Sequence, residues 1–130
     1  MKGNELRIEN LVDLGNRIAK VIEISQLACV VVDLEETQDT IEDYDRIRPI
    51  PLTEEWLLKF GFEINRQTKE ENNIWRCYSE EGFFEVEQIG TSFFLDDNHC
   101  YGTKIDYVHQ LQNLFFALTA EELTFKQQEQ

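Results

Sequence analysis

One stretch, IPLTEEWLLKFGF at positions 50–62, constrains the fold more than any other part of the chain. Pro49 and Pro51 favour an extended approach to it, because a residue that precedes proline is disfavoured in the helical region. Thr53 can cap a helix that follows, and Gly61 can end that helix in the left-handed conformation. The stretch therefore predicts a short helix with a bulky apolar face, placed between two β-rich halves of the chain.

The first half of the chain contains short apolar patterns that are typical of β-strands. Four strands are predicted there, covering the alternating positions Leu6, Ile8 and Val12 and the ranges 18–24, 28–34 and 40–44. The last of these is highly charged, which suits the edge of a sheet. Short strands, tight turns and a closing proline-containing segment predict a small curled sheet or an SH3-like barrel.

The second half predicts an antiparallel meander followed by a helix. Strands are expected at 74–79, 83–88 and 91–95, separated by short turns. Apolar residues then recur at helical spacing from Tyr107 to Leu118, and this stripe should lie on the meander.

These patterns predict one α+β domain over residues 1–130. Within it we expect a β-rich N-terminal lobe at 5–52 and an α+β C-terminal lobe at 53–125. The short central helix begins the second lobe.

The charge of the chain limits its partners. Acidic residues outnumber basic residues by 26 to 12, and the net charge of −14 is spread over both halves. Such a surface repels nucleic acids and membrane phosphates and attracts basic proteins, although it could also serve only to keep the protein soluble. Three cysteines without paired spacing and the absence of a long apolar run predict a cytoplasmic protein with reduced thiols.

Two acidic stretches are candidates for binding a basic partner. Carboxylates on alternate strand residues lie about 7 Å apart, which is close to the spacing of phosphates along a nucleic-acid strand. The alternative is an ordinary solvated face. The candidate residues are Glu35, Glu36, Asp39, Glu42, Asp43, Asp45, Glu80, Glu81, Glu85 and Glu87. Apolar anchors could come from Trp75, Tyr78 or Tyr101 if these side chains are exposed.

A polar loop after the predicted strand at 91–95 contains the densest group of possible metal ligands. These are Asp96, Asp97, His99 and Cys100. A structural zinc site needs four well-placed ligands, and only Cys77 or His109 could complete this one, so an ordinary loop is the favoured interpretation. His109 is expected to be a partly buried, hydrogen-bonded core histidine, because no nucleophile is tied to it by spacing.

Four aromatic residues of the meander could suggest base stacking, as in RNA-binding sheets. They are Phe83, Phe84, Phe93 and Phe94. Few basic residues accompany them, so they are expected in the core. The chain has no phosphate-binding glycine-rich loop, nucleophile elbow or paired-cysteine motif, and we therefore expect no cofactor, no metal and no catalysis.

Three segments of the sequence carry a resemblance to one group of proteins. They read LRIENLV near the start, PIPLTEEWLLKFGF in the middle and IDYVHQLQNLFFALTAEEL near the end. The chain resembles, in these segments, small accessory proteins encoded by phages, prophages and mobile elements of Bacteroidota. The usual first segment has Gly where this chain has Glu9 or Asn10. The resemblance implies a phage-borne accessory role in the host bacterial cytoplasm and supplies no catalytic motif.

The charge and the resemblance together predict a non-catalytic, acidic binding protein. We expect an inhibitor of a host defence nuclease, of the anti-CRISPR type, that occupies a basic nucleic-acid-binding surface; an RNA-guided nuclease, or the groove that binds its guide RNA, is one such partner. The alternative is a structural or adaptor module of a phage particle or replication complex. An enzyme with an unrecognised site lacks a supporting motif, and direct binding of nucleic acid is opposed by the charge.

Overall fold

The structure is a computed structural model that describes residues 5–65, 73–80, 82–95 and 103–124. The described residues form two antiparallel sheets, a short α-helix and a C-terminal α-helix, and the predicted α+β class is confirmed. The chain divides into two compact units. Unit 1 consists of residues 1–51 and 107–113, and unit 2 consists of residues 52–106 and 114–130.

Unit 1 contains a four-stranded antiparallel sheet. Its strands are β1 (Leu11–Asp13), β2 (Ile18–Ile24), β3 (Ala28–Asp33) and β4 (Asp39–Asp43), in the order β1-β2-β3-β4. A 3-10 helix at Tyr44–Arg46 then turns the chain. The backbone N–H groups of Arg48 and Asp13 each donate to the other residue's carbonyl at 2.9 Å. The chain thus returns from the last strand to the first, as a curled, barrel-like sheet requires.

The core of unit 1 follows the alternation of its strands. On β2, Ala19 and Val21 are buried, while Lys20 between them points outward. Val12, Val31 and Ile47 complete the centre of this core. The β2–β3 register shifts after Val21, so that β2 carries one extra residue there in a bulge.

The first predicted strand is wrong in its N-terminal part, because the strand begins only at Leu11. Before it the chain makes a turn, in which the Asn10 N–H donates to the Arg7 carbonyl at 3.0 Å. The Asn10 side chain in turn accepts from the Arg7 N–H at 2.7 Å. Glu9 has a φ of 84°, a conformation that glycine adopts most readily. Consequently Ile8 does not share the strand face of Val12 but is 48% exposed.

Unit 2 contains a five-stranded antiparallel sheet. Its strands are β5 (Glu63–Asn65), β6 (Asn73–Ser79), β7 (Gly82–Ile89), β8 (Ser92–Leu95) and β9 (Lys104–Ile105), paired in sequence order. The predicted three-stranded meander corresponds to β6, β7 and β8. A short strand adds to it on either side.

The predicted central helix is confirmed as α1 (Glu54–Lys59) of unit 2. The Trp56 N–H donates to the Thr53 hydroxyl at 3.4 Å, and Gly61 ends the turn with a φ of 87°. Phe60 is buried, whereas Trp56 is half-buried, with the Lys59 ammonium 4.7 Å from its ring centroid.

Aromatic side chains dominate the core of unit 2. The Phe84 ring contacts those of Phe62 and Phe115 edge-on, at centroid distances of 6.2 and 5.4 Å. The buried Trp75 donates its indole N–H to the Gln88 side-chain oxygen at 2.9 Å. Gln88 in turn donates to the Glu54 carboxylate at 2.7 Å, so the buried amide connects the sheet with the start of α1.

The C-terminal helix, α2 (Val108–Thr119), contributes residues to both units. The predicted apolar stripe of this helix is confirmed at Val108, Leu111 and Phe115, whose side chains are buried. Leu118 is instead exposed, and Ala120 terminates the helix with a φ of 60°. No helix in the described part of the chain is long and apolar enough to cross a membrane.

Candidate functional site

The first predicted acidic stretch forms a single hairpin, residues 33–45, which we call the acidic hairpin. Glu35 and Glu36 lie exposed in the turn between β3 and β4, and Asp45 is exposed on the 3-10 helix. On β4, Asp39 and Asp43 are exposed, and Glu42 is half-buried on the opposite face. The six predicted carboxylates of this stretch are thus distributed along the hairpin, from its turn through both faces of β4 to the 3-10 helix.

Hydrogen bonds to the Asp33 carboxylate fix the turn of the acidic hairpin. Its oxygens accept from the Thr37 hydroxyl and from the Thr37 N–H, the latter at 2.7 Å. These bonds hold the pKa of Asp33 below its ordinary value, the hydroxyl having the largest effect. Glu36 occupies the left-handed conformation with a φ of 58°, which completes the reversal of the chain. The turn is thus held in place by hydrogen bonds that favour the charged form of the Asp33 carboxylate.

Arg17 donates from its guanidinium to the Thr40 hydroxyl at 3.4 Å, and Lys20 is a second cation that contacts the acidic hairpin. Its ammonium donates to Glu36 and lies 3.6 Å from the Glu9 carboxylate. The hydrogen bond to Glu36, more than the charge of Glu9, raises the pKa of Lys20 above its ordinary value. Among the described residues, no cation lies within ion-pair distance of Asp39 or Asp43. Asp39 and Asp43 therefore present charge that no described ion pair compensates.

The second predicted acidic stretch has a different environment. Glu85 forms an ion pair with Arg76 on the neighbouring strand at 3.0 Å, and its side chain is only 16% exposed. Glu87 is half-buried on the same strand, and Glu80 lies in an exposed turn. Glu81 lies outside the described residues. The two stretches are thus unequal, and the acidic hairpin is the more available of them.

The aromatic residues of the meander divide between its two faces. Phe84 and Phe93 are buried as expected, whereas Phe83 is 57% exposed. Phe83 faces Tyr78 across the strands, and the Arg76 guanidinium lies 4.3 Å from the Phe83 ring centroid. A hydrogen bond that the Arg76 guanidinium donates to the Tyr78 side-chain oxygen, and the charge of Glu85, raise the pKa of Arg76, which therefore stays cationic. Expecting all four phenylalanines in the core was thus wrong for Phe83, because successive strand residues point to opposite faces, and Phe94 is only half-buried.

Of the three possible anchors, only one has the required exposure in the described part of the chain. Trp75 is buried and donates its indole N–H within unit 2, so it cannot anchor a partner. Tyr78 is 65% exposed on the outer face of the sheet. Tyr101 lies outside the described residues.

Unit 1 also contains a concave apolar surface of about 370 Å³, which we call the Ile41 groove. The sequence analysis missed it. Its walls include Ile8, Ile24, Val30 and Ile41, with Cys29 buried at its base. One signal in the sequence pointed to it: Ile41 is an aliphatic residue in an otherwise charged edge strand, and its side chain is 77% exposed.

Most of the groups considered for metal binding fall outside the described residues. The residues at 96, 97, 99 and 100 lie outside the described ranges, and within those ranges no group of three potential ligands is found. Cys77 is buried in unit 2.

His109 is buried in unit 1, as the sequence predicted, and its ring stacks on Tyr107 at a centroid distance of 5.8 Å. The expected hydrogen bonding is incomplete, because Nδ1 has no partner among the described residues. Burial lowers the pKa of His109, and the charge of Glu5 opposes this effect. The imidazole is therefore held neutral inside the unit, which is typical of a core residue.

A scan against protein-family models and searches of curated proteins and of solved structures gave no match to this chain.

Proposed function

We propose that the protein is a non-catalytic inhibitor that acts in the cytoplasm of a host bacterium. It binds the basic nucleic-acid-binding surface of a host defence nuclease, with an RNA-guided nuclease as the partner class. The observation that carries this proposal is the acidic hairpin, where Asp39 and Asp43 are exposed without a described cation in ion-pair distance. Negative potential of this kind attracts a basic groove and accelerates association with it.

The shape of the hairpin supports binding to an elongated groove. β4 lies at the end of the strand order in its sheet, so the hairpin projects its carboxylates from an edge. Asp39 and Asp43 share one face of β4 and lie about 13 Å apart at roughly 3.3 Å per residue. Glu35 and Glu36 extend the same charge around the turn. A basic channel that normally holds a nucleic-acid backbone could accept this row of charges.

The choice of partner class comes from the resemblance in three segments to phage-borne accessory proteins. A protein carried by a phage acts on the cell that the phage enters, and the nucleases of host defence systems bind nucleic acid through basic surfaces. An acidic protein can block such a surface without any chemistry of its own.

A cleavage assay with matched charge variants tests the proposal. Purified RNA-guided nucleases with their guide RNAs are incubated with the protein, and cleavage of target DNA is measured at about 0.1 M salt. The test variant is Asp39→Asn with Asp43→Asn. The control, Glu55→Gln with Glu63→Gln, removes the same number of charges from unit 2.

At least one nuclease should be inhibited by the natural protein. The hairpin variant should need about 3 to 10 times more protein for the same inhibition, since two exposed charges together contribute about 1 kcal/mol. The control should stay within about twofold of the natural protein. Inhibition of no nuclease, with recovery of phage structural proteins on the immobilised protein, would instead support the adaptor alternative.

A further inference from the structure

The Ile41 groove combines apolar walls with an acidic border. Glu23 is the one charged residue among those that line it. The strand register places Glu23 opposite Val30 and Val30 opposite Ile41, so these three side chains lie in a row across β2, β3 and β4. Along β4, Asp39 and Asp43 flank Ile41 on the same exposed face. An aliphatic row is thereby bordered by three carboxylates.

The exposure of these aliphatic side chains is high for a small protein. Ile8 and Ile41 are largely exposed, and Ile24 is more than a third exposed. Scattered exposed aliphatic residues are common, but a concave group of them marks a binding surface. The volume of about 370 Å³ is large enough for one or two side chains of a partner.

We propose that the Ile41 groove binds an extended segment of the basic partner through an apolar side chain flanked by Lys or Arg. The aliphatic side chain enters beside Ile8, Val30 and Ile41, and the flanking cations pair with Glu23, Asp39 and Asp43. This inference rests on the proposed function, because it names the surface with which the inhibitor holds its partner. The charges of the acidic hairpin attract the basic partner, and the apolar contact in the groove slows its dissociation.

Charge complementarity selects this occupant over the others. A second copy of the chain would bring another strongly acidic surface against Glu23, Asp39 and Asp43, and like charges in contact are destabilising. A neutral apolar ligand would use the groove walls but leave the three border carboxylates without partners. A segment that is both basic and aliphatic satisfies the walls and the border together.

Two labelled peptides provide the probes for a fluorescence anisotropy titration with the full chain. The first is Lys-Arg-Leu-Arg-Lys, and the second is Lys-Arg-Ser-Arg-Lys, which has the same charge and no apolar anchor. The test variant is Ile41→Thr, which keeps a β-branched residue in the strand. The control is Ile89→Thr, the same change at an exposed isoleucine on β7 of unit 2.

The leucine peptide should bind the natural protein about five to ten times more tightly than the serine peptide, which corresponds to about 1 kcal/mol of apolar contact. Ile41→Thr should reduce this ratio to below about twofold, and Ile89→Thr should leave it unchanged. Amide NMR signals of Glu23, Val30 and Ile41 should shift on addition of the leucine peptide.

Four outcomes would overturn the assignment of the groove. The first is equal affinity for both peptides, and the second is equal loss in the two isoleucine variants. The third is NMR shifts confined to unit 2, and the fourth is a dimer that Ile41→Thr dissociates. Failure of the proposed function looks different. If the two peptides bind with equal affinity and Asp39→Asn with Asp43→Asn lowers that affinity, the groove assignment is wrong and the proposed acidic binding protein is retained. If neither peptide binds at low salt, both the groove assignment and the proposed function are wrong.

Discussion

At the scale of single residues, unit 1 contains two buried polar side chains that the periodicity of apolar residues does not reveal. Asn10 and Gln112 are both buried, although the pattern of apolar residues assigned neither to the core. The Gln112 side chain accepts from the Leu11 N–H at 2.8 Å and donates to the Glu9 carbonyl at 3.0 Å. It thereby satisfies backbone groups that the turn before β1 leaves without a ladder partner.

His109 leads to a prediction about pH. Its folded-state pKa is depressed by burial, so the unfolded chain takes up a proton as the pH falls through about 6.5 while the folded chain does not. The contribution of the neutral imidazole to stability is therefore present above that pH and is lost as the pH falls toward the depressed value. The free energy of unfolding in urea, measured from pH 8 to pH 5, should fall more steeply for the natural protein than for His109→Gln.

The comparison of slopes isolates this residue from the carboxylates. The two proteins carry the same carboxylates, which therefore contribute equally to the two curves. Parallel curves over the whole range would contradict the prediction, even if His109→Gln lowers stability by a constant amount.

At the scale of secondary-structure elements, the sequence predicted an element correctly where a capping residue and a glycine flank an apolar pattern. α1 begins after Thr53 and ends before Gly61 as predicted, because capping and the left-handed turn are properties of those residue types. The first strand was mispredicted for the opposite reason. Apolar residues do alternate there, but Glu9 adopts a positive φ that interrupts the strand and that the pattern of apolar residues does not predict.

The contact between the first turns of α2 and the segment before β1 gives a prediction at this scale. Gln112→Ala leaves the Leu11 N–H and the Glu9 carbonyl without their partner in a buried position. We expect a loss of about 2 to 4 kcal/mol in the free energy of unfolding, measured by urea denaturation.

Gln110→Ala, two residues earlier in the same helix, provides the control. Gln110 is half-buried and accepts from the Tyr107 N–H at 3.2 Å, next to the helix start. Its loss should cost about 1 kcal/mol or less. Equal costs in the two variants would show that Gln112 does not hold this segment.

The acidic residues of the candidate site could be predicted from the sequence, whereas the concave shape of the Ile41 groove could not. The acidic residues of the hairpin could be predicted from the sequence, because the short charged strand β4 and the turn before it are contiguous in the chain. The groove could not, since it depends on which β2 residues face Val30 after the bulge and on the turn that exposes Ile8. The pairing of Glu85 with Arg76 was equally hidden, because it joins two strands through their register.

At the scale of the whole molecule, the dominant property is an excess of negative charge, with a net charge of −14. Charge of one sign over a small protein opposes compaction and favours association with a surface of the other sign. The apolar cores of the two units stabilise the fold against this repulsion. We propose that this excess charge serves to bind a basic partner.

The most direct test is a salt titration of binding to a nuclease that the protein inhibits. Association rate and affinity are measured by surface plasmon resonance from about 0.05 to 0.5 M salt, a range over which exposed charges become screened. We predict that the association rate falls at least about tenfold, and that Asp39→Asn with Asp43→Asn flattens this dependence. An association rate that does not change with salt, for a partner that the protein demonstrably inhibits, would contradict the account.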